Sequence, residues 1–302
     1  MQRKPYFYDI TLRDGNQSLK KPWSLKEKLF IFDKIVNLGI PAIEIGFPAS
    51  SEMDFDSCMT LAKKADENTK VSVLARAHKN DIDKALEVLK YAKNPRLHTF
   101  ITLSPFHMKY VLNKDPKEVI KLAIEAVDYA AKNLLKTNEK ADIEFSVEHF
   151  GDCEENIDFV IDGLKEIVKK GATTINLPNT VERYCPSRFI NLMTKVKEAL
   201  GDDVIISVHN HNDLGMATAT TVEAFFKGAT QLECCLNGLG ERAGNTDFAQ
   251  VAVALHNCKV ETGVNLDLLY ETALTISQMS MVKIYEKAPL IGPEALAHRS
   301  GI

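Results

Sequence analysis

Val204-Ile205-Ile206-Ser207-Val208-His209-Asn210-His211-Asn212-Asp213 decides how the rest of the chain is read. The run Val204-Ile205-Ile206-Ser207 has the composition of a buried strand,. Side chains two apart on a strand share a face, so His209 and His211 point the same way at its end. Two imidazoles on one face are half of a divalent-metal site, and the remaining ligands must come from elsewhere in the sequence.

Outward from this stretch, the same unit recurs along the chain. Strands are expected at 6–13, 42–46, 71–76, 97–103, 142–147, 173–177, 204–208 and 231–236. Each is followed by a helical pattern. The first begins at Ser24, with Glu27 at capping-box spacing, and ends at Gly39,. Others are expected at 51–64, 81–91, 115–135, 154–170, 186–200, 216–227 and 247–257. Eight strand–helix units in about 255 residues match a closed (β/α)8 TIM barrel. A doubly wound open sheet would carry a G-x-G-x-x-G after its first strand, and Asp14-Gly15-Asn16-Gln17 is not that,. The barrel is therefore assigned to 1–265. The remainder, 266–302, reads as a helical extension that begins a linker subdomain.

Composition narrows the functional classes. The 302 residues are 45% hydrophobic and 26% charged, with a net charge of −4 and no basic block, which argues against a nucleic-acid partner,. No apolar run is long enough for a membrane span, and the start lacks a signal-peptide core, so a cytoplasmic location is expected. Six scattered cysteines form no C-x-x-C pair, which fits reduced thiols,.

In a barrel of this type the active site forms where the strands end. The polar residues expected there are Arg13, Asp14 and Gln17 after the first strand and Glu44 on the second. Leu74 and Arg76 end the third, and His98 lies early on the fourth. Ser146 and Glu148 end the fifth, Thr180 follows the sixth, and His209 and His211 end the seventh. Charged groups so close to apolar strands are costly unless paired or bound to metal. Asp14, His209 and His211 form a mixed O/N set suited to a Lewis-acid ion with open positions. Ligand type leaves Mg, Mn and Zn open. The glycine-rich stretch Asn237 to Asn245 carries Glu241, Arg242 and Asn245 where backbone can approach a ligand,.

Thr11-Leu12-Arg13-Asp14-Gly15, His209-Asn210-His211-Asn212-Asp213 and Gly240-Glu241-Arg242-Ala243-Gly244-Asn245 together resemble the acyl-CoA Claisen-condensing metallolyases built on a TIM barrel. That family includes the 2-isopropylmalate, homocitrate and citramalate synthases and hydroxymethylglutaryl-CoA lyase. Ile43 to Pro48 and Asn176 to Glu182 are most similar to the 2-isopropylmalate synthase branch, nearer its actinobacterial and fungal type than the common bacterial one. The resemblance implies a metal on Asp14, His209, His211 and Asn245, chelating a 2-oxo acid. It implies catalytic roles for Arg13, Glu148 and Glu241, and substrate contacts at Gln17, Glu44, Leu74, His98, Ser146 and Thr180. Acetyl-CoA is the implied co-substrate, 3-methyl-2-oxobutanoate the implied acceptor, leucine biosynthesis the implied context and a homodimer the implied assembly. The lyase keeps a cysteine in its last glycine loop, and Asn237 to Asn245 has none. The family's Gly-Ile-His segment would follow the last residues here, Gly301 and Ile302, and the leucine-sensing domain lies further on. From that resemblance, ion and 2-oxo-acid binding is expected with weak or absent turnover.

Overall fold

The computed structural model describes residues 4–298. Gly301 and Ile302, beside which the expected catalytic histidine would follow, lie outside them. The eight strands are β1 (Tyr6–Asp9), β2 (Ala42–Glu44), β3 (Lys70–Arg76), β4 (Pro95–Thr102), β5 (Asp142–Glu148), β6 (Thr174–Asn179), β7 (Ile205–Asn210) and β8 (Gln231–Cys234). They pair in sequence order, all in parallel, and β8 closes on β1. The TIM barrel expected from the strand–helix rhythm is the observed fold.

Helices α1 (Leu25–Asn37), α2 (Glu52–Lys64) and α3 (Lys79–Leu89) cover the first three strands. A short helix α4 (Pro105–Tyr110) precedes α5 (Pro116–Leu134) and was not anticipated. Then come α6 (Ile157–Lys169), α7 (Pro186–Leu200), α8 (Ala217–Phe226), α9 (Phe248–Asn257) and, after the last barrel helix, α10 (Leu269–Ser280). The Ser24–Glu27 capping box is formed, with the Ser24 N–H donating to Glu27 at 2.7 Å. Gly39 takes φ +82° directly after α1, and a Cβ there would stand 2.7 Å from the Gly263 carbonyl oxygen. Trp23 is buried between barrel and tail, its indole N–H donating to the Met279 carbonyl at 3.0 Å.

The first expected strand, 6–13, stops at Asp9. Its carboxylate accepts the Thr11 N–H and the Thr11 hydroxyl, each at 2.9 Å. The Ile10 carbonyl then takes the N–H groups of Arg13, Asp14 and Gly15, making Thr11–Gly15 a wide helical turn. Strand pairing is thereby exchanged for a turn that brings Arg13 and Asp14 back over the barrel mouth. At the other side, β6 and β7 each run two residues further than their sequence patterns suggested, so His209 lies within β7.

Apolar residues fill the layer between strands and helices, whereas the barrel interior is strongly polar. Arg96 is 1% exposed, and its guanidinium donates to Asp142, Glu144, Gln231 and Thr174. Glu144 and Glu233 are each pushed up to about 8 by burial.

Burial also raises Asp9 to about 7, against the two Thr11 hydrogen bonds. A carboxyl raised on folding stabilises fully below its ordinary range, near pH 4, and that contribution is lost as pH climbs through 7. Asp9→Asn keeps a neutral acceptor for the Thr11 N–H. Its stability relative to the parent is therefore expected to rise between pH 4.5 and pH 8, by on the order of 2–4 kcal/mol. Urea unfolding of both proteins at the two pH values checks this, and a difference that stays constant with pH contradicts it.

Candidate active site

The strands that end around the barrel mouth enclose a cavity of about 220 Å³. Arg13, Asp14, Gln17, Leu74, His98, Ser146, Glu148, Thr180, His209, His211 and Glu241 all line it. The sequence pattern thus found most of the wall. It missed Phe47, Phe100, Asn176 and Pro178, while Arg242, singled out with its loop, lines the cavity as well.

Arg13 organises one side. Its Nε donates to Glu44 at 2.5 Å and its Nη1 to Asp14 at 2.7 Å. Glu44 was expected to touch substrate, and it does not line the cavity. It lies fully buried beneath Arg13, also accepting the Tyr8 hydroxyl and pairing with His98 Nδ1 at 2.6 Å. Burial raises its carboxyl, but Arg13 and His98 outweigh this and hold it at about 2. Burial likewise opposes ionisation of Asp14, and Arg13, His209 and His211 overcome it, leaving that carboxyl below its ordinary value. The second ring nitrogen of His98 meets Ser146 Oγ at 2.6 Å, and the Asn176 amide donates to the same oxygen at 2.8 Å.

On the opposite side His209 and His211 face each other, Nε2 to Nε2, at 3.2 Å. Burial lowers both imidazoles to about 4, so both are neutral near pH 7. One ligand atom from each of Asp14, His209 and His211 lies within 4.8 Å of the others. His211 Nδ1 and Asn245 Oδ1 are buried without a partner. Two neutral imidazoles abutting a carboxylate, with uncompensated donors and acceptors around them, fit a divalent cation better than they fit each other. Asn245 points its amide nitrogen at Asp14 Oδ1, 2.6 Å away, and at the Leu239 carbonyl, 2.9 Å away. Its ligand role would use the unpartnered Oδ1.

The rim is latched across three loops. Arg242 takes φ +56°, pairs with both oxygens of Asp213 and donates to the Thr180 carbonyl at 2.6 Å. The Thr180 hydroxyl accepts the His149 N–H at 2.9 Å. Glu241 is half exposed at the edge, where Gln17 donates to it at 3.3 Å. Burial raises the Glu148 carboxyl.

A family model described as HMGL-like matches residues 4–276. The chain belongs to the HMGL-like family. A Leptospira interrogans protein named 2-isopropylmalate synthase 2 is 47% identical over 298 residues, covering 99% of this chain and 69% of that one. Proteins named 2-isopropylmalate synthase from Pyrococcus furiosus and Lysinibacillus sphaericus are each 41% identical over 308 residues. They align with 100% and 99% of this chain, which spans 60% and 58% of their lengths. Among solved structures, a Bacillus subtilis HMG-CoA lyase superposes with a TM-score of 0.78 at 19% identity, covering 97% of both chains. An Acinetobacter baumannii HMG-CoA lyase, solved with coenzyme A and 3-methylmalate, gives 0.77 at 18% identity over 98% of this chain and 95% of that one. At that identity the likeness is one of fold.

The loop 238–245 is built on glycines for a steric reason. A Cβ on Gly240 would meet Asn245 Nδ2 at 2.2 Å, and one on Gly244, at φ +93°, would meet the Gly238 carbonyl oxygen at 2.1 Å. Gly201 also has positive φ, +79°, with nothing within 4 Å of its would-be Cβ. Gly201→Ala is therefore expected to cost only the strain of a glycine-only backbone conformation (φ +79°, ψ −166°), on the order of 1–3 kcal/mol,. Gly244→Ala adds the backbone clash and should cost clearly more in urea unfolding. Equal losses would show that the loop yields freely.

Proposed function

We propose that the protein is an acyltransferase of the 2-isopropylmalate synthase type, condensing acetyl-CoA with 3-methyl-2-oxobutanoate in leucine biosynthesis. The observation that carries this is the convergence of Asp14, His209 and His211 beside Arg13 at the foot of the cavity, in a chain 47% identical to a protein of that name. A divalent ion, Mg, Mn or Zn, would be held by those three residues with Asn245, and when bound it supplies Lewis-acid polarisation of the acceptor's oxygens.

The chain's own groups account for the remaining work. Arg13 is fixed between two carboxylates, so its guanidinium needs no reorganisation to stabilise a keto oxygen that becomes an alkoxide,. The Thr180 hydroxyl accepts from the backbone, which leaves its hydrogen for the substrate carboxylate. Leu74, Phe47, Phe100 and Pro178 give the cavity an apolar flank, which suits a branched alkyl chain better than a second carboxylate,. In this reading Glu241, at the rim, would remove a proton from the acetyl methyl group. Glu148, whose carboxyl burial holds protonated more readily than usual, would return one to the new alkoxide,. The methyl carbon bonds to the keto carbon, and water then cleaves the thioester, releasing CoA. Cytoplasmic location and a homodimer belong to the same reading. The lack of any helix long and apolar enough to cross a membrane among the described residues is consistent with it.

Calorimetric titration with 2-oxo acids, with and without divalent ion, tests the assignment together with a CoA-release assay. Binding of 3-methyl-2-oxobutanoate is expected only with the ion, more tightly than 2-oxoglutarate or pyruvate, and Asp14→Asn is expected to abolish it. A preference for 2-oxoglutarate would move the assignment to homocitrate synthesis. Cleavage of an acyl-CoA without condensation would move it to a lyase.

A further inference from the structure

The geometry points to Glu233 as the positioning residue of the ion site: it holds the His209 ring so that the Nε2 lone pair, and not an N–H, faces the ion. This rests on the reading of Asp14, His209 and His211 as ligands.

Four observations support it. The parallel register of β7 and β8 places His209 opposite Glu233, so the two side chains enter the barrel as neighbours. Glu233 Oε2 lies 2.7 Å from His209 Nδ1, and the glutamate side chain is completely buried. It is not among the residues that line the cavity. The Ser207 hydroxyl donates to the other carboxyl oxygen at 3.4 Å.

An imidazole can offer a lone pair at Nε2 only if its proton sits on Nδ1, and an acceptor at Nδ1 stabilises that tautomer. His209 has such an acceptor. His211 does not, since its Nδ1 is buried without a partner. The two ligands are therefore unequal: His209 is preset by the barrel wall, whereas His211 is held mainly by its loop. Glu233 has a second possible explanation as one member of the buried polar plug with Gln231, Glu144 and Arg96, contributing stability alone. The two explanations separate experimentally.

Glu233→Ala removes the acceptor, and Glu233→Gln keeps one through its amide oxygen. Metal-free protein is titrated with Zn2+ and with Mn2+ by calorimetry, the Co2+ visible spectrum is recorded, and metal-free melting is measured. The Kd for the ion is expected to rise about 10- to 100-fold in Glu233→Ala and less in Glu233→Gln, with an altered Co2+ spectrum. Metal-free melting of Glu233→Gln should remain close to the parent. Ion affinities within threefold of the parent in Glu233→Gln and in folded Glu233→Ala would overturn the positioning role, as would a loss of melting temperature with an unchanged Kd. Should Glu233→Ala fail to fold, Glu233→Gln decides alone: a raised Kd supports the role and an unchanged one overturns it. A parent protein that binds no ion sinks the ligand reading itself, which is a different result.

Discussion

Charge that enters the barrel must be neutralised inside it, because no water reaches most of its axis. This constraint orders the interior from bottom to mouth. At the bottom, Arg96 is enclosed by Asp142, Glu144 and Gln231. Half-way up, Glu44 receives Tyr8, His98 and Arg13. At the mouth, Arg13 passes its second contact to Asp14, which completes the set that faces the two histidines. The functional side chains inherit their positions from two stacks of hydrogen bonds, Glu44–Arg13–Asp14 on one side and Arg96–Glu144–Gln231–Ser207–Glu233–His209 on the other. A fully buried and half-satisfied column would be unstable, which is why the polar core is densely paired.

Much of this was legible in one dimension. The strand–helix rhythm gave the barrel because eight crossovers of similar length leave a parallel closed sheet as the simplest packing. The rim residues were legible because a polar side chain after an apolar run has few structural reasons to be there. The deeper column was missed. Its signal was nevertheless present as polar residues at every second position: Asp142, Glu144, Ser146 and Glu148 on β5, Ser207 and His209 on β7, Gln231 and Glu233 on β8. Period-two polarity on an otherwise buried strand marks the face turned to the axis.

The errors at element ends have local causes. Side-chain acceptors near a strand end can outcompete the ladder, and Asp9 does so when it captures two donors of Thr11,. No hydrophobic pattern records such competition, so 6–13 looked like an unbroken strand. The short helix α4 has a similar origin. It begins at Pro105 and is too brief to show a helical period,.

The closure of the sheet explains how ligands from the two ends of the chain meet. β1 and β7 are not neighbours; β8 lies between them and pairs with both. The gap between Asp14 and the histidines is therefore one strand wide, and the chain that fills it is β8 and its loop. Glu233 enters this gap from below and contacts His209, while Asn245 enters from above and contacts Asp14. The glycines of the loop let Asn245 descend that far, since a side chain at Gly240 would occupy its place. In an open sheet an edge at this point would leave the carboxylate and the imidazoles without a common neighbour. The barrel's last strand thus serves as a spacer whose width sets the separation of the ligands, and substitutions along β8 are the ones from which the site has the least shelter.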